Sequence, residues 1–571
     1  MTTSTAATGK PISHNGRWIW EDHYPADVTW GGEIKVAPLY DVLDRAVAKY
    51  GDFTAIDFMG RTWTYSEVGA LADKLAGALQ KRGVNKGVKV GLLLPNTVYS
   101  VIYYYAILKA GGTVVNYNPL YTEKELAGQM KDSGTDIMVT VDLALTIDKM
   151  LKLVDSSPVR KVIVCPFAAG LPFPKNLLFP LVKRKDVAGV PKHAKFESHA
   201  GVMADAGPAT PVSIDPENDI AVLQYTGGTT GTPKGAALTH ANVHANTQQA
   251  VRWMPGTVAG KDSMVGVLPF FHVFAMTVIM NWAIWNGVKI LLQPKFDLNE
   301  LLKLVKKQRP SFLPAVPAIF NAIASHANVK DYDFSCLKLC LSGGAPLPAD
   351  VKRLFEEKTG SKTITEGYGL TEASPIVTCN PIGRTKAGSI GMPMPATIVE
   401  IISRDDNKTV LPTGEKGEVC VRGPQVMQGY YNKQEETDNV LKGGRLHTGD
   451  VGYMDDDGYV YIVDRIKDLI IVRGYNVYPR VVEEAIYEHP AVEECIVAGV
   501  PDEERGETVW AWVKPGAGQH ISESELIGFL QGKLNPIEIP RKVIVRDQPL
   551  PKTTVGKLSR KDLLIQEGIT R

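Results

Sequence analysis

The chain has 571 residues, enough for about four domain-sized units. It is 44% hydrophobic and 22% charged, an ordinary globular composition, and its net charge of +1 gives no electrostatic case for nucleic acid as a partner. Six cysteines include no Cys-x-x-Cys pair, and no histidine pair at finger spacing completes a zinc site with Cys336 and Cys340, so the thiols fit buried or neutral roles in a reducing compartment.

Residues 1–16 are rich in Thr, Ala and Ser and lack the apolar stretch of a secretory signal, which predicts a disordered tail. From Ser66 an apolar stripe at Val68, Leu71, Ala72, Leu75 and Leu79 predicts a helix ended by Gly83. Strands are predicted over 89–94, 113–117 and 137–141. A helix around 101–110 separates the first two, and a Thr122/Glu125 capping box opens the helix before the third. This alternation predicts a mainly parallel sheet covered on both faces.

Between residues 167 and 196 the alternation breaks. Leu177, Leu178, Phe179, Leu181 and Val182 are followed directly by Lys183-Arg184-Lys185. The cluster reads either as an element lying on an anionic membrane surface or as a surface excursion with a few anchoring apolar residues. A buried strand over 220–223 then leads into Tyr225-Thr226-Gly227-Gly228-Thr229-Thr230-Gly231-Thr232-Pro233-Lys234-Gly235. The glycines allow close backbone approach to a ligand, and the hydroxyls, Lys234 and successive N–H groups can bind phosphate. Lys234 precedes Gly235 and not Ser or Thr, so this is not the P-loop of nucleotide hydrolases. A short strand follows at 236–239, which makes the stretch a mobile bridge between two strands.

Residues 265–288 carry no Asp, Glu, Lys or Arg, but Pro269, His272, Asn281, Asn286 and Gly287 interrupt them. A buried core helix over about 274–285 is predicted in preference to a membrane span. Farther on, a strand over 337–341 ends in Ser342-Gly343-Gly344-Ala345-Pro346-Leu347, a natural ligand crevice. Short strands between Gly and Pro over 388–431 predict an antiparallel or barrel-like unit. Leu446-His447-Thr448-Gly449-Asp450 reads as a glycine-flanked turn, and 460–465 as a strand running into a charged hinge. Beyond it, a helix at 481–486, strands at 492–500 and 508–513, a helix at 523–534 and a strand at 542–545 form an α+β unit of roughly 100 residues.

A phosphate-binding loop calls for a metal ion, because phosphoryl and nucleotidyl transfer rest on positioning and charge neutralisation. Within Glu366-Gly367-Tyr368-Gly369-Leu370-Thr371-Glu372, Glu372 is a candidate magnesium ligand, Thr371 a phosphate contact and Tyr368 a flat face for a purine. The Asp450 carboxylate suits a ribose diol, and Arg465 could share that task. Lys557 lies in a glycine-containing turn, Pro551 to Leu558. Taken alone, that lysine and His272 would read as a solvated surface residue and a packed core histidine.

The order of these motifs resembles that of the adenylate-forming superfamily of acyl-CoA synthetases, luciferases and peptide-synthetase adenylation domains. The likeness runs from about Tyr40 onward. More narrowly, the stretches 223–231 and 118–122, Asn476-Val477-Tyr478-Pro479 and His23-Tyr24-Pro25-Ala26-Asp27-Val28 resemble bacterial long-chain fatty acyl-CoA synthetases. Arg473-Gly474-Tyr475-Asn476 departs from a frequent Ser-Gly-Phe-Asn of those relatives, and Ile466-Lys467 from a frequent Lys-Lys.

The resemblance implies an α/β fold: a tail and arm (1–37), a large N-terminal domain of two α/β subdomains plus a β-barrel (38–464), and a small mobile α+β C-terminal domain (465–571). It implies ATP-dependent activation of a fatty acid to an acyl-adenylate, then transfer to coenzyme A (CoA). ATP and CoA are co-substrates, and Mg2+ is the metal, held by Glu372. Thr226, Gly227, Gly228, Thr229, Thr230, Gly231, Lys234 and Thr371 would bind phosphates. Gly344, Ala345 and Tyr368 would meet adenine, Asp450 and Arg465 the ribose, and Gly369 would also belong to the nucleotide site. Lys557 would bridge the attacking carboxylate and the adenylate oxygens. Gly474 and Tyr475 would enter a CoA channel after domain rotation. His272, Phe270, Phe271 and Phe274 would sit near the carboxylate and the acyl tunnel. The expected location is cytoplasmic, with peripheral contact at the inner face of the cell membrane through 177–185; monomer or homodimer is left open. The rivals are an aryl-acid (coumarate-like) CoA ligase, an acyl-adenylate ligase that loads a carrier protein and, from another class, a membrane-associated fatty-acid uptake or binding protein.

Overall fold

The structure, a computed structural model, describes residues 16–226, 233–502, 504–553 and 558–569. The first sheet has eight strands. At its centre Lys89–Leu93 pairs in parallel with Thr113–Asn116 and with Ile137–Val141. Both of those neighbours are buried along their whole length, as a parallel strand covered on two faces should be. Much of that cover comes from the helix Val98–Lys109, which is buried nearly all round and packs on the helix Tyr65–Lys81. The strands flanking the glycine-rich stretch, Ile220–Thr226 and Lys234–Thr239, pair antiparallel, and residues 227–232 between them lie outside the described residues.

A second sheet of nine strands holds the parallel run Ser263–Gly266, Phe312–Ala315, Leu339–Ser342 and Ile364–Gly369. Its far edge is made by an early hairpin, Thr54–Phe58 and Arg61–Thr64, which docks on Lys289–Leu292. The predicted helix over 274–285 is buried as expected but differs in form. A π-helical stretch, Ala275–Asn281, precedes the short α-helix Trp282–Trp285. Two polar side chains pin the wide turns: Thr277 Oγ1 donates to the Ser374 carbonyl, and Asn281 Oδ1 accepts from Tyr105 Oη, each at 2.7 Å. No described helix is long and apolar enough to cross a membrane.

A third, antiparallel sheet is built around Gly417–Arg422 and Arg445–Met454. This corrects the reading of 446–450 as a turn, because Asp450 lies within a ten-residue strand. Gly449, at φ +74°, and a register shift opposite Glu418 and Cys420 give that strand a local kink with the composition of a turn. The C-terminal unit has its own five-stranded sheet and its own apolar core around Ile470, Val497, Ala511 and Leu526. Its helix begins at Glu523 as expected but ends at Leu530, four residues early. Gly532, at φ +83°, marks the turn beyond it.

Candidate active site

A cavity of about 680 Å³ opens at the carboxyl ends of Ile220–Thr226, Leu339–Ser342 and Ile364–Gly369, where the C-terminal unit meets the large one. Open α/β sheets bind ligands in this position. Residues from all six sequence motifs or their flanks line it: Thr226, Gly344, Tyr368, Thr448, Arg465 and Thr553.

One wall is a hydrogen-bonded plate. Tyr368 Oη donates to Asp450 Oδ2 at 2.5 Å, and Arg465 Nε lies 3.0 Å from Asp450 Oδ1. Burial and the adjacent Asp450 hold the tyrosine hydroxyl well above its ordinary pKa, so it stays a donor. Arg465 is held further in its charged form, chiefly by Asp450. Asp450 and Arg465 are direct partners across two strands, which aligns the pair before any ligand arrives. Asp450 is itself steadied from behind. Its N–H donates to Thr448 Oγ1 at 3.1 Å, and the Gly449 N–H donates to Glu418 Oε1 at 3.0 Å. The other Glu418 oxygen lies 2.7 Å from His447 Nδ1.

Gly344, at φ +81°, and Gly343 line the cavity beside this plate, whereas Ala345 is not among the lining residues. Gly369 has a steric reason to be glycine. A Cβ there would lie 2.0 Å from the Pro375 carbonyl oxygen, where the chain folds back on itself.

On the phosphate side, Thr226 and Lys234 face each other across the strand pair and both line the cavity. Gly227, Gly228, Thr229, Thr230 and Gly231 lie outside the described residues. The Lys234 ammonium sits 5.3 Å from the centre of the Tyr430 ring, and Tyr430 Oη donates to Glu372 Oε1 at 2.6 Å. The Met427 N–H donates to the Glu372 carbonyl at 2.8 Å and fixes the backbone that carries this carboxylate. With Thr226 and Thr371 on the same lining, Glu372 offers an all-oxygen donor set, which fits a hard divalent cation that keeps several waters.

The opposite end is apolar. Phe271, His272 and Phe274 line the cavity, while Phe270 sits behind them against a small void with Tyr104 and Met280. Their backbone is pinned: the Phe270 N–H donates to Asn96 Oδ1 at 2.8 Å, and Gln224 Nε2 donates to the Phe271 carbonyl at 2.7 Å. Gly343 lets the Phe274 ring lie close to the strand end, where a Cβ would come within 3.1 Å of it.

The C-terminal side contributes Arg465, Lys467 and Thr553. Burial, aided by the neighbouring guanidinium, lowers the Lys467 pKa. Lys557 lies outside the described residues. Just beyond it, Arg560 ties the C-terminal helix down, with Nη2 2.7 Å from both Glu483 oxygens and Nη1 3.1 Å from Asp468 Oδ2. Gly474 and Tyr475 are not among the lining residues. They lie at the hairpin between Ile470–Val472 and Tyr475–Val477, and Tyr475 is exposed.

Sequence reasoning missed Tyr430 and the Glu418–His447 pair. Gly429–Tyr430 reaches Glu372 by adding a short strand beside Lys234–Thr239, a long-range pairing with no local motif.

Residues 43–431 match the AMP-binding enzyme family, and residues 481–557 match the AMP-binding enzyme C-terminal domain. The chain belongs to the AMP-binding enzyme family. It is 45% identical over 552 residues to a long-chain-fatty-acid–CoA ligase of Bacillus subtilis (strain 168), covering 96% of this chain and 98% of the relative. Among solved structures, ATP-bound MatB from Rhodopseudomonas palustris superposes with a TM-score of 0.80 at 29% identity, covering 93% of this chain and 98% of that one. The O-succinylbenzoate coenzyme A synthetase MenE from Bacillus subtilis, solved with ATP and a magnesium ion, gives 0.75 at 25% identity, covering 91% and 98%.

Proposed function

We propose that the protein is a long-chain fatty acid–CoA ligase working in two steps. A fatty carboxylate oxygen attacks the α-phosphorus of ATP, and the bond to pyrophosphate breaks. The CoA sulfur then attacks the acyl carbonyl carbon, the bond to AMP breaks, and the thiol proton leaves to solvent. The observation that carries this reading is the 45% identity to a ligase of that name over 96% of the chain.

The cavity supports it in chemical order. The Asp450–Arg465 pair would take the ribose hydroxyls, a carboxylate to donors and a guanidinium beside it, while Tyr368 and Gly344 flank the adenine. Ala345 would reach the base through its backbone. Thr226, Lys234, Thr371 and the loop from Gly227 to Gly231 would hold the phosphates. Glu372 would hold a magnesium ion, which supplies neutralising charge to phosphate oxygens. His272, on the cavity lining beside Phe271, would sit near the carboxylate. Phe271 and Phe274, with Phe270 behind them, would border the acyl chain and exclude water from it.

Lys557 would donate to the attacking carboxylate and the adenylate oxygens, where negative charge builds up. Thr553 on the cavity lining supports this, since only a few residues separate the two. With the domain boundary at 464/465, rotation about 465–467 would withdraw Lys557 and bring Gly474 and Tyr475 to a CoA channel. Substrates such as ATP and CoA point to the cytoplasm.

The test is AMP formation with and without CoA over a panel of fatty and aryl acids, paired with Lys557→Ala. Long-chain acids should give the highest kcat/KM and AMP release should require free CoA. Lys557→Ala should lower acid-dependent ATP–pyrophosphate exchange by about 100-fold or more, the size of one lost transition-state donor, and leave thioester formation from supplied acyl-adenylate within a few-fold. Preference for an aryl acid, or CoA-independent AMP release, overturns the substrate assignment. Equal loss of both half-reactions overturns the role of Lys557.

A further inference from the structure

The segment between residues 171 and 190 presents apolar surface that its own fold leaves uncovered. Its helix, Lys175–Val182, has no buried residue. At about 100° per residue, Leu177, Leu178, Leu181 and Val182 fall within one arc of about 140°. All four point outward: Leu177 is 61% exposed, Leu178 50%, Leu181 74% and Val182 75%. Phe173, just before the helix, is 79% exposed. An ordinary surface helix turns such a stripe inward. Here the inward contact is Phe179, whose ring packs 5.1 Å from that of Phe167.

The element is held firmly at both ends. Leu171 is buried before it, and after it the Ala144 N–H donates to the Asp186 carbonyl and the Ala188 N–H to the Asp142 carbonyl, both at 2.9 Å. The apolar face is therefore displayed by a fixed scaffold. Its charge is one-signed: Lys175, Lys183, Arg184 and Lys185 flank the stripe, and no acidic residue occurs from 173 to 185. Exposed apolar patches mark interaction surfaces, and an apolar stripe rimmed by Lys and Arg matches an anionic lipid interface, where side chains enter the acyl boundary while ammonium and guanidinium groups meet phosphate.

We propose that Phe173 and the helix Lys175–Val182, with Lys183-Arg184-Lys185, form a docking element for an anionic lipid bilayer surface. The element lies on it without crossing, since eight residues of helix reach only about 12 Å.

The test is flotation of the full chain with vesicles of phosphatidylcholine alone and with phosphatidylglycerol added at about one third. The wild-type chain should partition onto the anionic vesicles at least about tenfold more strongly, and salt should weaken the binding. Leu181→Asp with Val182→Asp should cut that partition by about tenfold or more. Lys183→Gln, Arg184→Gln and Lys185→Gln together should do the same and remove the preference for anionic lipid. The altered side chains are exposed, so melting temperature and CoA ligation of detergent-dispersed acid should be unchanged. Equal partition onto neutral and anionic vesicles, or variants that bind like wild type, overturns the proposal. A concentration-dependent dimer that the Asp variant abolishes, without vesicle binding, overturns it in favour of a second copy of the chain.

Discussion

Tyr368 and Tyr475 both follow a glycine on a strand, and their surroundings are opposite. Tyr368 lies in the cavity wall with its hydroxyl on Asp450, among backbone so close that Gly369 has no room for a methyl group. Tyr475 stands on a hairpin with its ring exposed, and a Cβ built on Gly474 meets no atom of the described residues within 4 Å. The Tyr368–Asp450 wall is thus finished before a ligand arrives. The hairpin carries residues of the same type exposed at its tip. A two-step enzyme with one cavity needs both: a rigid face for the group bound throughout, and a face free to be exchanged between the steps.

The largest effect should come from closing the space that the finished wall depends on. Gly369→Ala puts its methyl against the Pro375 carbonyl, a backbone atom that no side-chain rotation can clear. Overpacking of this kind costs about 1–3 kcal/mol, and more where backbone must move. The expected result is a lower melting temperature together with loss of nucleotide binding by calorimetry. Normal binding would mean that the wall is adjustable and the contrast with the hairpin false.

A smaller and more selective effect is expected at Gly474. Its φ of +82° makes any replacement strained by about 1–2 kcal/mol, while the space left by the described residues is open. Gly474→Ala and Gly474→Leu should therefore destabilise the C-terminal unit alike. If the hairpin enters a narrow channel in the second step, only leucine should block thioester formation from supplied acyl-adenylate, and ATP–pyrophosphate exchange should survive in both. Equal thioester rates for the two variants would show that the hairpin does not approach the ligand.

The finished wall was also the legible part of the sequence. Tyr368, Thr371 and Glu372 are close in the chain and of telling chemical types, and the structure puts them on one cavity. Asp450 was found with its backbone misread, because Gly449 gives a strand kink the composition of a turn. What escaped notice was made by distant pairing. Tyr430 reaches Glu372 from a two-residue strand, and Glu418 reaches His447 and Gly449 across a register shift. The hairpin Thr54–Phe58 and Arg61–Thr64 crosses to the second sheet for the same kind of reason. Local periodicity records which face of an element is buried, and says little about which distant element covers it. The π-helical form of Ala275–Asn281 was illegible too, since a segment buried all round has no polar face to mark its period.

The smallest effect joins the two regions. Glu366 belongs to the strand that carries Tyr368, and its Oε1 accepts the Leu347 N–H at 3.1 Å. Burial pushes its carboxyl up to about 7, while Arg480, on the C-terminal unit's helix Pro479–Tyr487, draws it back down. A carboxyl whose folded pKa exceeds its unfolded value is better tolerated when protonated, so its stability contribution is present in acid and is lost as pH rises from about 4.5 to about 7. Glu366→Gln keeps an acceptor for Leu347 and cannot ionise. Its melting temperature should match wild type near pH 5 and exceed it near pH 8, by the equivalent of about 1–3 kcal/mol at a conversion of 1.36 kcal/mol per pKa unit. A gap that does not change with pH would mean that the carboxyl is not held neutral. If the C-terminal unit swings away in the second step, the restraining field of Arg480 goes with it. The Glu366 titration, followed by the carboxyl infrared band, should then move upward when acyl-adenylate gives way to CoA and AMP. An unmoved titration would mean that helix and wall stay together and that the hairpin is not delivered by domain rotation.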